Sequence, residues 1–145
     1  MARLSLVIDA SIAVKWFSAL DEANVTQAVD ILDRRAKGEI TLLVPDLLYY
    51  EVSNALVHKK ALSNEKVQLS IAGLFTLGMQ TIYTDADLMA MSARLARQFG
   101  ITVYDACYAA LAQKYGCPLV TANPRHQVQT LGCQVIPIEE WKQSL

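Results

Sequence analysis

The chain lacks the marks of an exported, membrane-spanning or zinc-bearing protein. Its 145 residues hold three cysteines, Cys107, Cys117 and Cys133. An odd number without CxxC spacing argues against both a disulfide framework and a thiolate zinc site, so reduced, structural thiols are expected. The two histidines, His58 and His126, have no ligand spacing with a cysteine or with each other, which disfavours zinc further. No apolar run approaches the roughly 18 residues that span a bilayer. The N-terminal Met1-Ala2-Arg3-Leu4 enters the first strand candidate without a signal-peptide layout, so a soluble, cytoplasmic protein is expected. There is no excess of charge of one sign. At a formal net charge of -1, polyanion binding must come from local clusters or a bound metal. The candidate clusters are Arg34-Arg35 with Lys37, Lys59-Lys60, Arg94 with Arg97, and Arg125-His126. Each taken alone reads first as a solvated helix face. Internal repeats, low-complexity tracts and linkers are absent as well, and residues 1–145 are expected to form one domain.

What is present is an alternation of strand and helix signals in a chain that is 53% hydrophobic and 19% charged, too apolar for disorder. Leu4 to Ile8 is a short continuous apolar run, the pattern of a strand buried on both faces of a parallel sheet. Helices are expected over Ser11 to Ser18, Glu22 to Lys37 with Gly38 as the stop, Leu47 to Lys60, and Asn64 to Leu77. Two more are expected: Ala86 to Phe99, capped by Asp85 and ended by Gly100, and Tyr104 to Tyr115, bounded by Gly116. Ile40 to Val44, Gln80 to Tyr83, Leu119 to Thr121 and Val135 to Ile138 are the other strand candidates. Strands separated by helices predict an α/β sandwich with a largely parallel central sheet.

Three acids occupy core-facing positions. Asp9 ends the first apolar run, at the carboxyl end of a strand where open α/β sheets collect ligands. It, or Ser11, could equally cap the helix that follows. Glu51 shares a helix face with Leu47, Leu48, Ala55 and Leu56, where an uncompensated carboxylate would cost several kcal/mol. It therefore needs a cation or a strong donor; a salt bridge to an arginine is the structural alternative. Asp105 opens the nearly uncharged stretch Tyr104 to Ala112 and could simply complement a helix dipole. Carboxylates are seldom buried unless paired or metal-bound, so three together suggest a divalent cation. Trp16, Phe17, Tyr49 and Tyr50 are expected in core or interface.

The segments "VIDASIAVKWF", "PDLLYYEVSNAL" and "ITVYDACYAALAQKYGCPLVTANPR", in that order and across nearly the whole chain, resemble the PIN-domain ribonucleases. The likeness is nearest to the VapC toxins of bacterial and archaeal toxin–antitoxin pairs. It implies a three-layer α/β/α sandwich with a mostly parallel sheet and an acidic cluster at Asp9, Glu51 and Asp105. Ser11 and Thr121 match the family's small hydroxyl positions. The chain departs from the pattern at Asn123, where the family commonly places a fourth acid. An amide oxygen can ligate a hard cation but brings no charge and cannot act as a base. Equally, Asn123-Pro124 could merely start a turn.

The expected chemistry is phosphodiester hydrolysis with oxygen-bound Mg²⁺ or Mn²⁺. Asp9 and Asp105 would bind the metal, and Glu51 would orient or deprotonate the attacking water. The resemblance implies endonucleolytic cleavage of single-stranded or loop RNA leaving a 3′-hydroxyl, a VapB-like antitoxin and a homodimer. Arg125 is a candidate contact to phosphate or antitoxin. Two alternatives remain at this stage. One is a catalytically weakened PIN module that binds RNA or protein, favoured by Asn123. The other is a phosphotransfer enzyme using Asp9 as nucleophile, disfavoured by Ser11 where a second acid is usual.

Overall fold

A computed structural model describes residues 3–123 and 132–142. Five strands form one sheet: β1 (Leu4–Ile8), β2 (Ile40–Pro45), β3 (Gln80–Ile82), β4 (Leu119–Thr121) and β5 (Val135–Pro137). Six α-helices lie among the described residues: α1 (Ala10–Ala13), α2 (Val25–Ala36), α3 (Leu47–Val57), α4 (Asn64–Leu74), α5 (Ala86–Phe99) and α6 (Val103–Tyr115). The strand order is β3-β2-β1-β4-β5 and every pairing is parallel, which makes the expected three-layer α/β/α sandwich. The chain builds outward from β1 to β2 and β3, then returns to add β4 on the other side of β1. That reversal puts the switch point between the carboxyl ends of β1 and β4, the place where such sheets form a crevice.

Local chemistry fixes the long helices where the sequence predicts them. The Asp85 carboxylate accepts the Leu88 N–H at 2.8 Å to start α5, and Thr102 Oγ1 accepts the Asp105 N–H at 3.0 Å to start α6. Gly100 and Gly116 end these helices at φ of +65° and +63°, a left-handed conformation that costs glycine little. The early helices depart from expectation. The first is one α turn followed by a 3₁₀ turn over Val14–Trp16, and α2 begins at Val25 because Glu22 is drawn instead into an ion pair with Lys15. The helices α3 and α4 each end three residues early, at Val57 and Leu74.

The core is built on the sheet, with α6 as its most deeply buried helix and Ile12, Ile31, Leu48 and Leu56 contributed by α1, α2 and α3. Leu6, Val7 and Ile8 of β1 and every residue from Asp105 to Ala112 are buried. Ala106, Ala109, Ala110 and Ala112 carry no bulk beyond Cβ, which lets α6 pack closely on β1, β2 and β4. Leu111, fully buried, contributes about 1.5–3 kcal/mol by transfer from water. No described helix is long and apolar enough to cross a membrane. All three cysteines are free thiols.

In two of the basic clusters one member is structural, while Lys37 and Lys60 are exposed. Arg34 is buried, pairs with Asp30 at 3.1 Å and lies 5.7 Å above the Trp141 ring. Lys59 donates to Glu22 and to the Leu20 carbonyl. Arg94 and Arg97 are exposed on α5. Arg125-His126 and Pro124 lie outside the described residues.

Candidate active site

The carboxyl end of β1 delivers Asp9 to the switch point, 2% exposed. Its Oδ1 accepts both the Ser11 N–H, at 3.1 Å, and the Ser11 hydroxyl. The helix-cap role and the crevice position therefore coincide in one carboxylate. Its Oδ2 accepts the Thr121 hydroxyl at 2.5 Å, from the carboxyl end of β4. Both hydroxyls are aligned in turn. The Ala122 N–H donates to Ser11 Oγ and the Asn123 N–H to Thr121 Oγ1, each at 2.9 Å. A hydroxyl that accepts an amide proton keeps its own proton for the carboxylate, so Asp9 is held from two sides by oriented donors.

Asp105 stands in the first turn of α6, 8% exposed, where the helix dipole favours a negative charge. Glu51 sits half-buried on α3, beside the fully buried face of Leu48, Val52 and Leu56 rather than in its centre. Its partner is a residue that sequence reasoning passed over. Tyr108 donates its hydroxyl to Glu51 Oε1 at 2.5 Å. Three residues beyond Asp105, Tyr108 shares that acid's face of α6. Burial above all, then the Glu51 charge and hydrogen bond, and finally the Asp9 charge push the phenol far above its ordinary pKa. It stays protonated and acts as a donor. The missed signal was a tyrosine inside the apolar stretch Ala106–Ala112, because a buried phenol needs a hydrogen-bond partner.

Tyr108 thus lies between two of the acids, bonded to Glu51 and within reach of the Asp9 charge, while Asp105 stands one turn earlier on the same helix. The fold brings Ser11, Thr121 and the Asn123 amide onto or beside Asp9. Among the described residues, no three His, Cys, Asp or Glu side chains lie close enough together to hold a metal ion. Mg²⁺ commonly uses only one or two carboxylates and completes its shell with water and substrate phosphate. Asp9 and Asp105 supply oxygen donors of the right hardness and number for that mode, and the hydroxyls of Ser11 and Thr121 suit a water shell.

A model of the PIN domain matches residues 6–129. No match was found among curated proteins. Among solved structures, PAE2754 from Pyrobaculum aerophilum is 22% identical with a TM-score of 0.67, covering 95% of this chain and 93% of that one. DNA-bound VapBC from Salmonella typhimurium is 13% identical with a TM-score of 0.68, covering 93% and 98%. VapC20 of Mycobacterium tuberculosis, a sarcin-ricin loop cleaving toxin, is 16% identical with a TM-score of 0.61, covering 81% and 87%. At these identities the likeness is one of fold. The match to the PIN model across most of the sequence, on a parallel sheet with Asp9 at the switch point, shows that the chain belongs to the PIN-domain family.

Proposed function

We propose that the chain is a metal-dependent endoribonuclease that hydrolyses RNA phosphodiesters and serves as the toxin of a VapBC-type toxin–antitoxin pair. The observation that carries this reading is the clamp on Asp9, built by Ser11 of α1 and by Thr121 at the end of β4, beside the switch point. Such a clamp orients a carboxylate with neutral donors, which suits a group that must present its charge to a cation. When bound, Mg²⁺ or Mn²⁺ would offset charge on the phosphoryl oxygens and favour ionisation of a nearby water.

The chain's own residues do the rest. Asp9 and Asp105 hold the cation. Glu51 orients the attacking water and accepts its proton, while the Tyr108 hydroxyl holds the Glu51 carboxylate in place. The 3′-oxygen leaves as a hydroxyl. The substrate class is single-stranded or loop RNA, and exposed Tyr50, Phe75 and Tyr83 are available for base stacking or for a protein partner. A groove of about 520 Å³ beside α3 and α4 is lined by these three residues and Tyr49. Its apolar surface suits a VapB-like antitoxin or the second copy of a homodimer. The DNA-bound VapBC structures of similar fold support the antitoxin reading.

The second reading, a weakened PIN module retained for binding, is favoured by Asn123. Its backbone N–H supports Thr121, but its side chain brings no carboxylate to the crevice. One experiment separates the two: cleavage of a structured-RNA panel by purified protein with Mg²⁺, Mn²⁺ or EDTA, alongside Asp9→Asn and Asn123→Asp. Cleavage that needs metal and is lost in Asp9→Asn establishes the ribonuclease. Inactivity of the parent with metal, together with cleavage by Asn123→Asp, establishes the weakened module.

A further inference from the structure

Away from the acids, at the opposite end of β4, one pocket brings two thiols together. The β4–β5 pairing sets Leu119 opposite Val135, Val120 opposite Ile136 and Thr121 opposite Pro137. The Leu119 N–H donates to the Gln134 carbonyl at 2.9 Å, the bond that opens this ladder, and the Cys117 N–H turns back to the Ala112 carbonyl at the end of α6. Cys117 and Cys133 each stand two residues before the first pair, one on the approach to β4 and the other on the approach to β5. Neighbouring strands lie about 4.8 Å apart, and a disulfide accepts Cα separations of about 4.4–6.8 Å.

A pocket of about 260 Å³ is lined by both cysteines together with Gln113, Gly116, Pro118 and Gly132. A small reagent can therefore reach them. Cys133 is half-buried and Cys117 more deeply buried, whereas Cys107 is enclosed on α6 beside Ser92 and faces neither. The strand they would secure is short. Among the described residues β5 has three residues and stands at the edge of the sheet, with only β4 as neighbour.

We propose that Cys117 and Cys133 are an oxidation site, closing to a cross-strand disulfide that staples the edge strand β5 to β4. The oxidant is a small-molecule disulfide of the glutathione class. The Cys133 thiolate attacks one of its sulfurs, forming a mixed disulfide and expelling one small thiolate. The Cys117 thiolate then attacks the Cys133 sulfur, forming the cross-strand S–S bond and expelling the second. The two protein thiols lose two protons and two electrons, and these appear on two molecules of reduced small thiol. Burial first, and the neighbouring Cys117 second, push the Cys133 thiol up to about 11. Exchange is therefore slow at neutral pH and accelerates with alkalinity as the thiolate fraction grows.

The test is oxidation of the full chain by oxidised glutathione, followed by peptide mapping under non-reducing conditions and thermal unfolding. The expected product is a monomer lighter by two hydrogens, with the Cys117 and Cys133 peptides joined. Its Tm should rise by several degrees and return on reduction with dithiothreitol. The rate should climb about tenfold per pH unit in the neutral range. Cys133→Ser should abolish the link and Cys107→Ser should leave it unchanged. Should Cys117→Ser fail to fold, the half-buried Cys133→Ser decides alone. Three free thiols after oxidation, a lasting glutathione adduct at Cys133, or links between copies only would each overturn the proposal.

Discussion

Two regions of this molecule bury charge, and they do so differently. Around Lys15, charge is met by charge. Its ammonium, 7% exposed, donates to Glu22 at 2.9 Å and to the Ala23 carbonyl at 2.7 Å, while Lys59 takes the other Glu22 oxygen at 3.2 Å. Around Asp9, two hydroxyls and a backbone amide donate to the carboxylate and fix its orientation. The first arrangement ties α1, the loop before α2 and the end of α3 into one body. The second presents an oriented anion at a crevice. Burial alone thus does not mark a functional charge; the chemistry of its partners does.

That contrast can be broken by substitution. The largest expected effect is Asp9→Asn, which should lower metal-dependent RNA cleavage by roughly a thousandfold, about 4 kcal/mol of barrier, with little change in Tm. If Tm falls while the remaining folded fraction cleaves normally, Asp9 is structural and the distinction fails. Next is Glu22→Gln, which leaves the buried Lys15 ammonium without its carboxylate and should cost about 3 kcal/mol in denaturant unfolding. Cleavage per folded molecule should stay at the parent level; a loss of cleavage there would make the two regions one.

Tyr108→Phe sharpens the comparison, because it removes a single neutral donor from an acid. Cleavage should fall roughly tenfold, and the loss should be absent in a Glu51→Gln background. It also has a pH signature. The protonated phenol favours the fold fully below pH 10, tyrosine's ordinary value. That contribution is lost as pH rises from there toward the raised pKa, at about 1.4 kcal/mol per pH unit. The phenylalanine variant should lack this part of the alkaline slope in stability measured against pH. The smallest effect is expected of Lys59→Ala, about 0.5 kcal/mol, because Glu22 keeps Lys15 as its partner and no buried charge is left unpaired. A cost as large as that of Glu22→Gln would show that Lys59, not Lys15, anchors the cluster.

Much of the architecture was legible in the sequence because its causes are local. The apolar run Leu4–Ile8, the Asp85 cap and the glycines at 100 and 116 act within a turn or a strand, and α5 occupies the expected range. Expectation failed where a distant partner intervened. The chain from Glu22 to Asn24 stays out of α2 because Glu22 reaches Lys15 and Lys59, and Asn24 takes a left-handed conformation. Arg34 and Lys59 read as solvated cations until Trp141, Asp30 and Glu22 folded against them.

By itself, the sequence determined an alternating α/β chain, a strand-end acid at Asp9 and two more acids in apolar surroundings, since periodicity and capping need only neighbours along the chain. Strand order is different information. Placing β4 beside β1 brings Thr121 to Asp9 across 112 residues, and packing α6 near α3 brings Tyr108 to Glu51 across 57. The fold likewise brings Cys117 and Cys133 to one pocket. Only the tertiary structure decides such meetings, because the hydrophobic pattern states which face of an element is buried but not which element covers it.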